Sequence, residues 1–206
     1  MKATIILSTV LFSALLVFSG FTSNAKVETI TNLKEAVKGE TTASAKYAAY
    51  AKRAKEEGKN NIAMLFEAAS KSESIHAGNH KAVLEQLGVK MDNFTPEYEV
   101  KSTKENLQDA IKGESYEVAT MYPDFIKKAG DDNVTLASIS FNYAYQTEKK
   151  HKVMYQNALD KLVAGKENEV ASNYWVCPTC GNTYENNAPK RCGISMTSGE
   201  RFISIN

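Results

Sequence analysis

Two short segments of the chain, Glu73-Ser74-Ile75-His76 and Glu148-Lys149-Lys150-His151, each set a carboxylate and an imidazole three residues apart. On an α-helix residues three apart share a face, so each segment presents its Glu and His side by side. Two more glutamates, Glu40 and Glu114, end the two copies of a repeated stretch, Asn32 to Glu40 and Asn106 to Glu114, with an offset of 74 residues. Every position of the nine is identical or similar, and both copies finish in Gly-Glu. Two helices giving one Glu each and two giving Glu-x-x-His is the ligand set described for dimetal carboxylate sites inside helical bundles. Anionic oxygens balance and bridge two cations, and one imidazole per metal completes a mixed N/O set suited to iron or manganese. A lone helical Glu is ordinarily a solvated surface group, and a lone Glu-x-x-His arises by chance. Six such groups recurring with a duplicated hairpin are not explained that way.

The second chemical cluster lies at the C-terminal end. Cys177, Cys180 and Cys192 are the chain's three cysteines. An odd, tightly grouped set does not read as a disulfide framework; it reads as a metal site. Cys177-Pro178-Thr179-Cys180-Gly181 is a zinc-ribbon or rubredoxin knuckle, and a partner knuckle after Cys192 would place a cysteine where the sequence has Ser195. Three outcomes follow: Ser195 ligates through oxygen, a water or other side chain fills the position, or the site holds metal weakly and Cys177 and Cys180 oxidise. A hard oxygen donor would favour ferric iron and lower the potential.

These groups require elements to position them. Alternating Ala, Leu, Lys and Glu favour helix, and glycines set the stops. The first helix is expected from about Thr31 to Glu57 before Gly58, and the second from about Asn60 to Leu87 before Gly88. A linker around Pro96 follows. Ser102 and Glu105 form a capping box for the third helix, which ends at Gly130 and is expected to kink at Pro123. Asp131 or Asp132 is expected to cap the fourth, running to about Ala164. Four helices of about 27 residues, each roughly 40 Å long, make a four-helix bundle. Beyond a polar stretch from Gly165 to Asn173, short β-like runs at Tyr174-Trp175-Val176 and Arg201 to Ile205 mark a small module whose core needs a metal.

The 206 residues carry a formal charge of +1 with 24% charged residues interspersed, so no basic stripe offers itself to nucleic acid. Residues 1–25 read as an export signal: Lys2, an apolar run from Ile5 to Phe18, then Ser23-Asn24-Ala25 as a cleavage site. The alternative is an uncleaved anchor, since Thr4 to Phe21 reaches the lower limit for spanning a bilayer. Removing Lys2 leaves 24 basic and 24 acidic residues. The organisation expected is a signal at 1–25, a bundle at 26–165 and a metal module at 174–206, in an exported, periplasmic protein.

With these residues in place, the chain resembles the rubrerythrin family over essentially its whole mature length. The resemblance is carried by Gly39-Glu40, Glu73-x-x-His76-Ala77, Gly113-Glu114-x-x-Glu117, Met121-Tyr122-Pro123 and Glu148-x-x-His151. The cysteine module, with Tyr174-Trp175-Val176 and Ala188-Pro189, extends it. It implies an all-α, ferritin-like bundle with a rubredoxin-like β module. It also implies two irons held by Glu40, Glu73, His76, Glu114, Glu148 and His151, and a further iron or zinc on Cys177, Cys180, Cys192 and Ser195. Glu117 would be an extra carboxylate, matched by Ala43 in the first hairpin, offering one iron a choice with His76. Tyr47, two turns after Glu40, and Tyr122 match tyrosines near the dimetal centre. A core tyrosine with a satisfied hydroxyl is the plain alternative for Tyr47. The implied reaction is reduction of hydrogen peroxide to water in oxidative stress, with electrons relayed from an external donor of rubredoxin or reductase type. Family members are dimers in which one subunit's module approaches the partner's diiron site, which implies a homodimer or larger assembly. The rival reading is a ferritin-like protein that binds and oxidises iron without efficient peroxidase turnover. His80, four residues after His76, belongs to neither the repeat nor the motif and is read as a surface or partly packed histidine.

Overall fold

The computed structural model describes residues 26–206; the export-signal reading falls on 1–25, outside the described residues. Helix α1 spans Val27–Glu56 and α2 spans Asn60–Gln86. They form an antiparallel hairpin whose turn is made at Gly58, with φ of +73°. That left-handed residue lets Lys59 N–H reach back to the Ala54 carbonyl and close the helix end. Helix α1 begins four residues before the expected start at Thr31, because Thr29 is tied down by Asp132: both its amide and its hydroxyl donate to that carboxylate.

The second hairpin begins with α3, Thr103–Tyr116, and the Ser102/Glu105 capping box is present with both reciprocal bonds. The helix does not simply kink at Pro123. It passes through one π-helical turn, Glu117–Met121, and resumes as α4, Tyr122–Asp131. Pro123 lies in the first turn of α4, where a missing N–H costs little; the disruption has been moved upstream into the π turn. Helix α5, Thr135–Val163, starts after Val134 with no side-chain cap. The expected cap, Asp132, is instead engaged by Thr29.

The π turn corrects the repeat. Glu40 and Glu114 are 74 residues apart, but Glu73 and Glu148, His76 and His151, and the core rings Phe66 and Phe141 are each 75 apart. One residue is inserted between Glu114 and Tyr122, and a π turn absorbs one extra residue without breaking the helix. The two hairpins therefore superpose in register after it: Asn133, with φ of 56°, stands 75 residues after Gly58 and makes the same turn. Asn is among the few non-glycine residues that adopt this conformation readily.

The bundle core divides into two apolar ends. One gathers Leu33, Val37, Leu84, Phe125 and Phe141; the other gathers Tyr47, Phe66, Leu107 and Tyr155 and continues into Tyr174 and Val176 of the C-terminal module. The module is a three-stranded antiparallel sheet of β1 (Tyr174–Val176), β2 (Thr183–Glu185) and β3 (Ile203–Ile205), ordered β2-β1-β3. Tyr174 pairs with Glu185 on one side and Ile205 on the other. Strand β2 gave no sequence signal beyond the knuckle beside it. The module packs on α2 and α5 of its own chain: Ser72 Oγ donates to the Gly181 carbonyl and Asn79 Nδ2 to that of Thr179.

Candidate dimetal and cysteine sites

Glu40 and Glu114 project from α1 and α3, Glu73 and His76 from α2, and Glu148 and His151 from α5; all six are buried, none more than 2% exposed. Their ligand atoms fall into two overlapping groups, Glu40, Glu73, His76 and Glu148, and Glu73, Glu114, Glu148 and His151, each with donors within 4.8 Å of one another. The shared members divide their oxygens. Glu73 turns Oε2 to His76 Nδ1 at 2.8 Å and Oε1 to His151 Nδ1 at 3.1 Å. Glu148 turns Oε1 to His76 and Oε2 to His151, both at 2.8 Å. Two carboxylates thus span both groups, while Glu40 and Glu114 belong to one each.

The outward nitrogen of each imidazole is fixed by the C-terminal module. His76 Nε2 lies 3.0 Å from the Cys180 carbonyl oxygen, and His151 Nε2 lies 2.9 Å from Thr183 Oγ1. A carbonyl only accepts, so Nε2 of His76 carries its hydrogen, and Nδ1, facing inward, is the nitrogen left to ligate a cation. Thr183 Oγ1 donates to the Gly181 carbonyl, leaving its own lone pair for His151 Nε2–H. This is the arrangement in which a metal-binding histidine has its orientation and tautomer set by its other nitrogen. Gly181 makes the approach possible: its φ is +78°, and a Cβ there would sit 2.3 Å from His76 Nε2.

The two tyrosines reach the site across the bundle. Tyr47 donates to Glu114 Oε1 at 2.7 Å, not to Glu40 two turns before it on its own helix. Tyr122 donates to Glu40 Oε1. Each terminal glutamate thereby has one oxygen bound by a phenol and the other, Oε2, without a partner among the described residues.

Eight buried ligand atoms have no hydrogen-bond partner among the described residues: Oε2 of Glu40 and Glu114, both oxygens of Glu73 and Glu148, and Nδ1 of His76 and His151. Unpaired buried polar atoms are costly, and eight converging on two points fit two cations. Electrostatics points the same way. Burial and neighbouring carboxylates push Glu40 and Glu114 well above the usual range. Burial opposes charge on His151, yet Glu73 and Glu148 outweigh it and hold its pKa up at about 10. Burial likewise opposes charge on Glu148, but His76 and His151 outweigh it and bring it to about 2. Protons here do the charge-balancing that cations are suited to do.

Glu117 lies in the π turn, partly exposed, and stands outside both ligand groups. Burial and the charge of Glu114 raise its pKa. It lines a cleft of about 400 Å³ together with Gly39, Ala43, Tyr47, Gly113 and Met121. His80 is not the surface or partly packed histidine expected of it: it is 0% exposed, beside Tyr122 and Ser140. Its signal was the four-residue spacing from His76, which keeps both rings on the inward face of α2.

In the module the three cysteine sulfurs gather within 4.8 Å, buried and not disulfide-bonded. Cys180 Sγ lies 3.5 Å from Cys192 Sγ, and Ser195 Oγ lies 3.3 Å from Cys177 Sγ. A tetrahedron of 2.3 Å metal–sulfur bonds has edges of about 3.8 Å, and a shorter metal–oxygen bond contracts the mixed edge to about 3.5 Å. The four atoms fit a tetrahedral ion after small adjustments. Ser195 is steadied by Thr197 at 2.8 Å, which donates to Thr179 at 2.8 Å.

The rubrerythrin family profile matches residues 31–159. Nigerythrin of Nitratidesulfovibrio vulgaris is 34% identical over 85% of this chain and 86% of its own length. Rubrerythrin-2 of Clostridium acetobutylicum is 32% identical over 82% and 92%. The solved structure of fully reduced, all-ferrous nigerythrin superposes with a TM-score of 0.77 at 31% identity, covering 99% of this chain and 100% of the other. Bacterioferritin BfrA of Mycobacterium tuberculosis shares the bundle fold, with a TM-score of 0.62 at 19% identity. The sequence profile, the curated relatives and the superposed structure agree with the carboxylate–histidine geometry, and the chain belongs to the rubrerythrin family.

Proposed function

We propose that this protein is an exported non-haem diiron peroxidase that reduces hydrogen peroxide to water, with electrons entering through the rubredoxin-like module. The observation that carries the proposal is the pair of overlapping groups of unpartnered buried donors, joined at both histidines to the cysteine module. Glu40, Glu73, His76 and Glu148 would hold one iron, and Glu73, Glu114, Glu148 and His151 the other. Reduction of one peroxide to two waters takes two electrons and two protons, and two ferrous ions, when bound, would supply the electrons. The chain's own residues handle the rest. Glu117, at the wall of the cleft, is placed to receive a small neutral substrate, and burial keeps its carboxyl a proton carrier. Tyr47 and Tyr122 hold hydroxyl protons on Glu114 and Glu40. The packed core excludes bulk water.

Cys177, Cys180, Cys192 and Ser195 would hold an iron that supplies the entry point for electrons, with zinc as the redox-silent alternative. The Cys180 carbonyl, in contact with His76 Nε2, would give that site its shortest link to the bundle. An oxygen ligand from Ser195 would give such a site a lower potential than four thiolates. A Ser195→Cys variant reconstituted with iron is expected to gain the spectrum of a four-sulfur site. In a homodimer or larger assembly, exchange of modules between subunits would use the same contacts seen within one chain.

Steady-state turnover tests the proposal. With two irons per bundle and an excess of a reduced rubredoxin-type donor, each chain is expected to consume many peroxides while its iron content stays constant. A single round of oxidation followed by uptake of further iron would replace it with the iron-handling reading. Mass analysis of the exported protein is expected to find an N-terminus at Lys26.

A further inference from the structure

We infer that His80 and Ser140 are positioning residues, which fix the direction of the Tyr122 hydroxyl and so determine which oxygen of Glu40 is presented as a ligand. The inference rests on the dimetal reading of the site and adds two residues that the ligand motif does not contain.

His80 lies on α2 one turn beyond His76, with its ring against Phe141 and Tyr122 at centroid distances of 5.2 and 6.0 Å. Both ring nitrogens are engaged: Nδ1 is 2.7 Å from Ser140 Oγ and Nε2 is 3.2 Å from the Tyr122 oxygen. Tyr122 in turn bonds Glu40 Oε1. The direction of each bond follows from donor arithmetic. Glu40 as a metal-binding carboxylate can only accept, so the single phenolic hydrogen of Tyr122 points at it. The phenol oxygen then faces His80 with a lone pair, and His80 must present Nε2–H. A neutral imidazole has one N–H, so Nδ1 accepts and Ser140 donates. Burial holds the His80 pKa down at about 3, which keeps the ring neutral. The chain of donors runs one way, from Ser140 through His80 and Tyr122 to Glu40.

The opposite His80 tautomer would attract the Tyr122 proton and release Glu40 Oε1. With the chain intact, Oε1 accepts the phenol hydrogen, and Oε2, which has no hydrogen-bond partner among the described residues, is the oxygen with both lone pairs open to a cation. The device belongs to one half of the duplication. Seventy-five residues away in the repeat, His80 corresponds to Tyr155 and Ser140 to Leu65. Tyr47, the counterpart of Tyr122, therefore packs edge-on to a phenol at 5.5 Å and has no imidazole behind it. The polar chain serves the metal group that contains Glu40 and His76, whereas Glu114 lacks this support.

Two-bond proton–nitrogen NMR of the full chain loaded with zinc reads the chain directly. His80 is expected as the neutral Nε2–H tautomer, with its Nε2 signal moved by Tyr122→Phe and its Nδ1 signal by Ser140→Ala. In parallel, His80→Leu is expected to weaken ferrous iron binding in the group containing Glu40 by about 10- to 100-fold, as loss of a ligand's supporting partner does. His80→Gln, which retains a donor, is expected to restore most of it. An Nδ1–H tautomer, an imidazolium, or a folded His80→Leu protein binding both irons as tightly as the parent would overturn the inference. Should His80→Leu not fold, Ser140→Ala, which removes one oxygen atom, supplies the affinity comparison and the NMR tautomer decides. Failure of the unaltered chain to bind two metals in the bundle would instead remove the dimetal reading itself.

Discussion

At the residue scale the site depends on which glutamates are shared. Glu73 and Glu148 each give an oxygen to both halves, whereas Glu40 and Glu114 serve one half. Glu148→Ala is therefore expected to lower the bundle's metal content from two ions towards none, and Glu114→Ala to about one, as elemental analysis of the purified proteins will show. Equal losses in the two variants would mean that the carboxylates do not bridge. The ligands were legible in the sequence because their chemistry lies in type and spacing: Glu-x-x-His fixes a face, and the Gly-Glu repeat adds its partners. His80 and Ser140 were not legible. They are 60 residues apart, and neither Ser140 nor the site's use of its hydroxyl can be inferred before the helices are packed. Tyr47 was legible as a tyrosine near the centre but its partner was not, because its hydroxyl crosses to Glu114 on another helix.

At the element scale two local features position the chemistry. The π turn at Glu117–Met121 absorbs the residue that shifts the repeat from 74 to 75, so that Tyr122 meets Glu40 as Tyr47 meets Glu114. Deleting exposed Ala119 is expected to restore the regular helix that α1 has at this point, to keep Tyr122 opposite Glu40 as Tyr47 lies opposite Glu114 without a π turn, and so to leave iron binding at Glu40 intact while Glu117 shifts on the cleft wall. Ferrous iron titration of the deletion variant checks this. The change of offset from 74 to 75 stands in the sequence, but the place of the extra residue and the π turn that takes it up do not, because helix propensity runs unbroken through Tyr116 to Met121. The second feature is the close seat of Gly181 on His76. Gly181→Ala combines a disfavoured positive φ with a 2.3 Å contact, so the module is expected to lift from α2. The predicted signature is a marked fall in the rate of electron transfer from a reduced donor, with the bundle still holding two irons. An unchanged transfer rate would show that the Cys180–His76 contact is not the path.

At the scale of the whole molecule, the metal-free site is a cluster of buried charge balanced by protons, and its pH response follows. The raised His151 pKa stabilises the metal-free fold fully below about 6.5, and that contribution is lost as pH climbs towards about 10. The raised Glu40 and Glu114 act in the same direction, since ionising them in the fold costs more than in the unfolded chain. The Tm of the metal-free protein is therefore expected to fall by several degrees between pH 6.5 and 10. Each kcal/mol corresponds to about 2–4 °C in a chain of this size. The metal-loaded protein should show a smaller decline, because bound cations replace the protons, and metal affinity should rise with pH. Scanning calorimetry of both forms across that range tests the sign. Fold class was readable from the sequence because four long helices with duplicated hairpin signals leave few architectures. The seating of the module on α2 and α5 was not, since it rests on carbonyls and hydroxyls whose positions only the tertiary structure sets.

The most direct measurement is stopped-flow oxidation of the anaerobic, fully reduced, iron-loaded protein by hydrogen peroxide and, separately, by dioxygen. Much faster oxidation by peroxide, slowed at least tenfold by Glu117→Ala with both irons retained, is the predicted result. Faster oxidation by dioxygen, unaffected by Glu117→Ala, would contradict it.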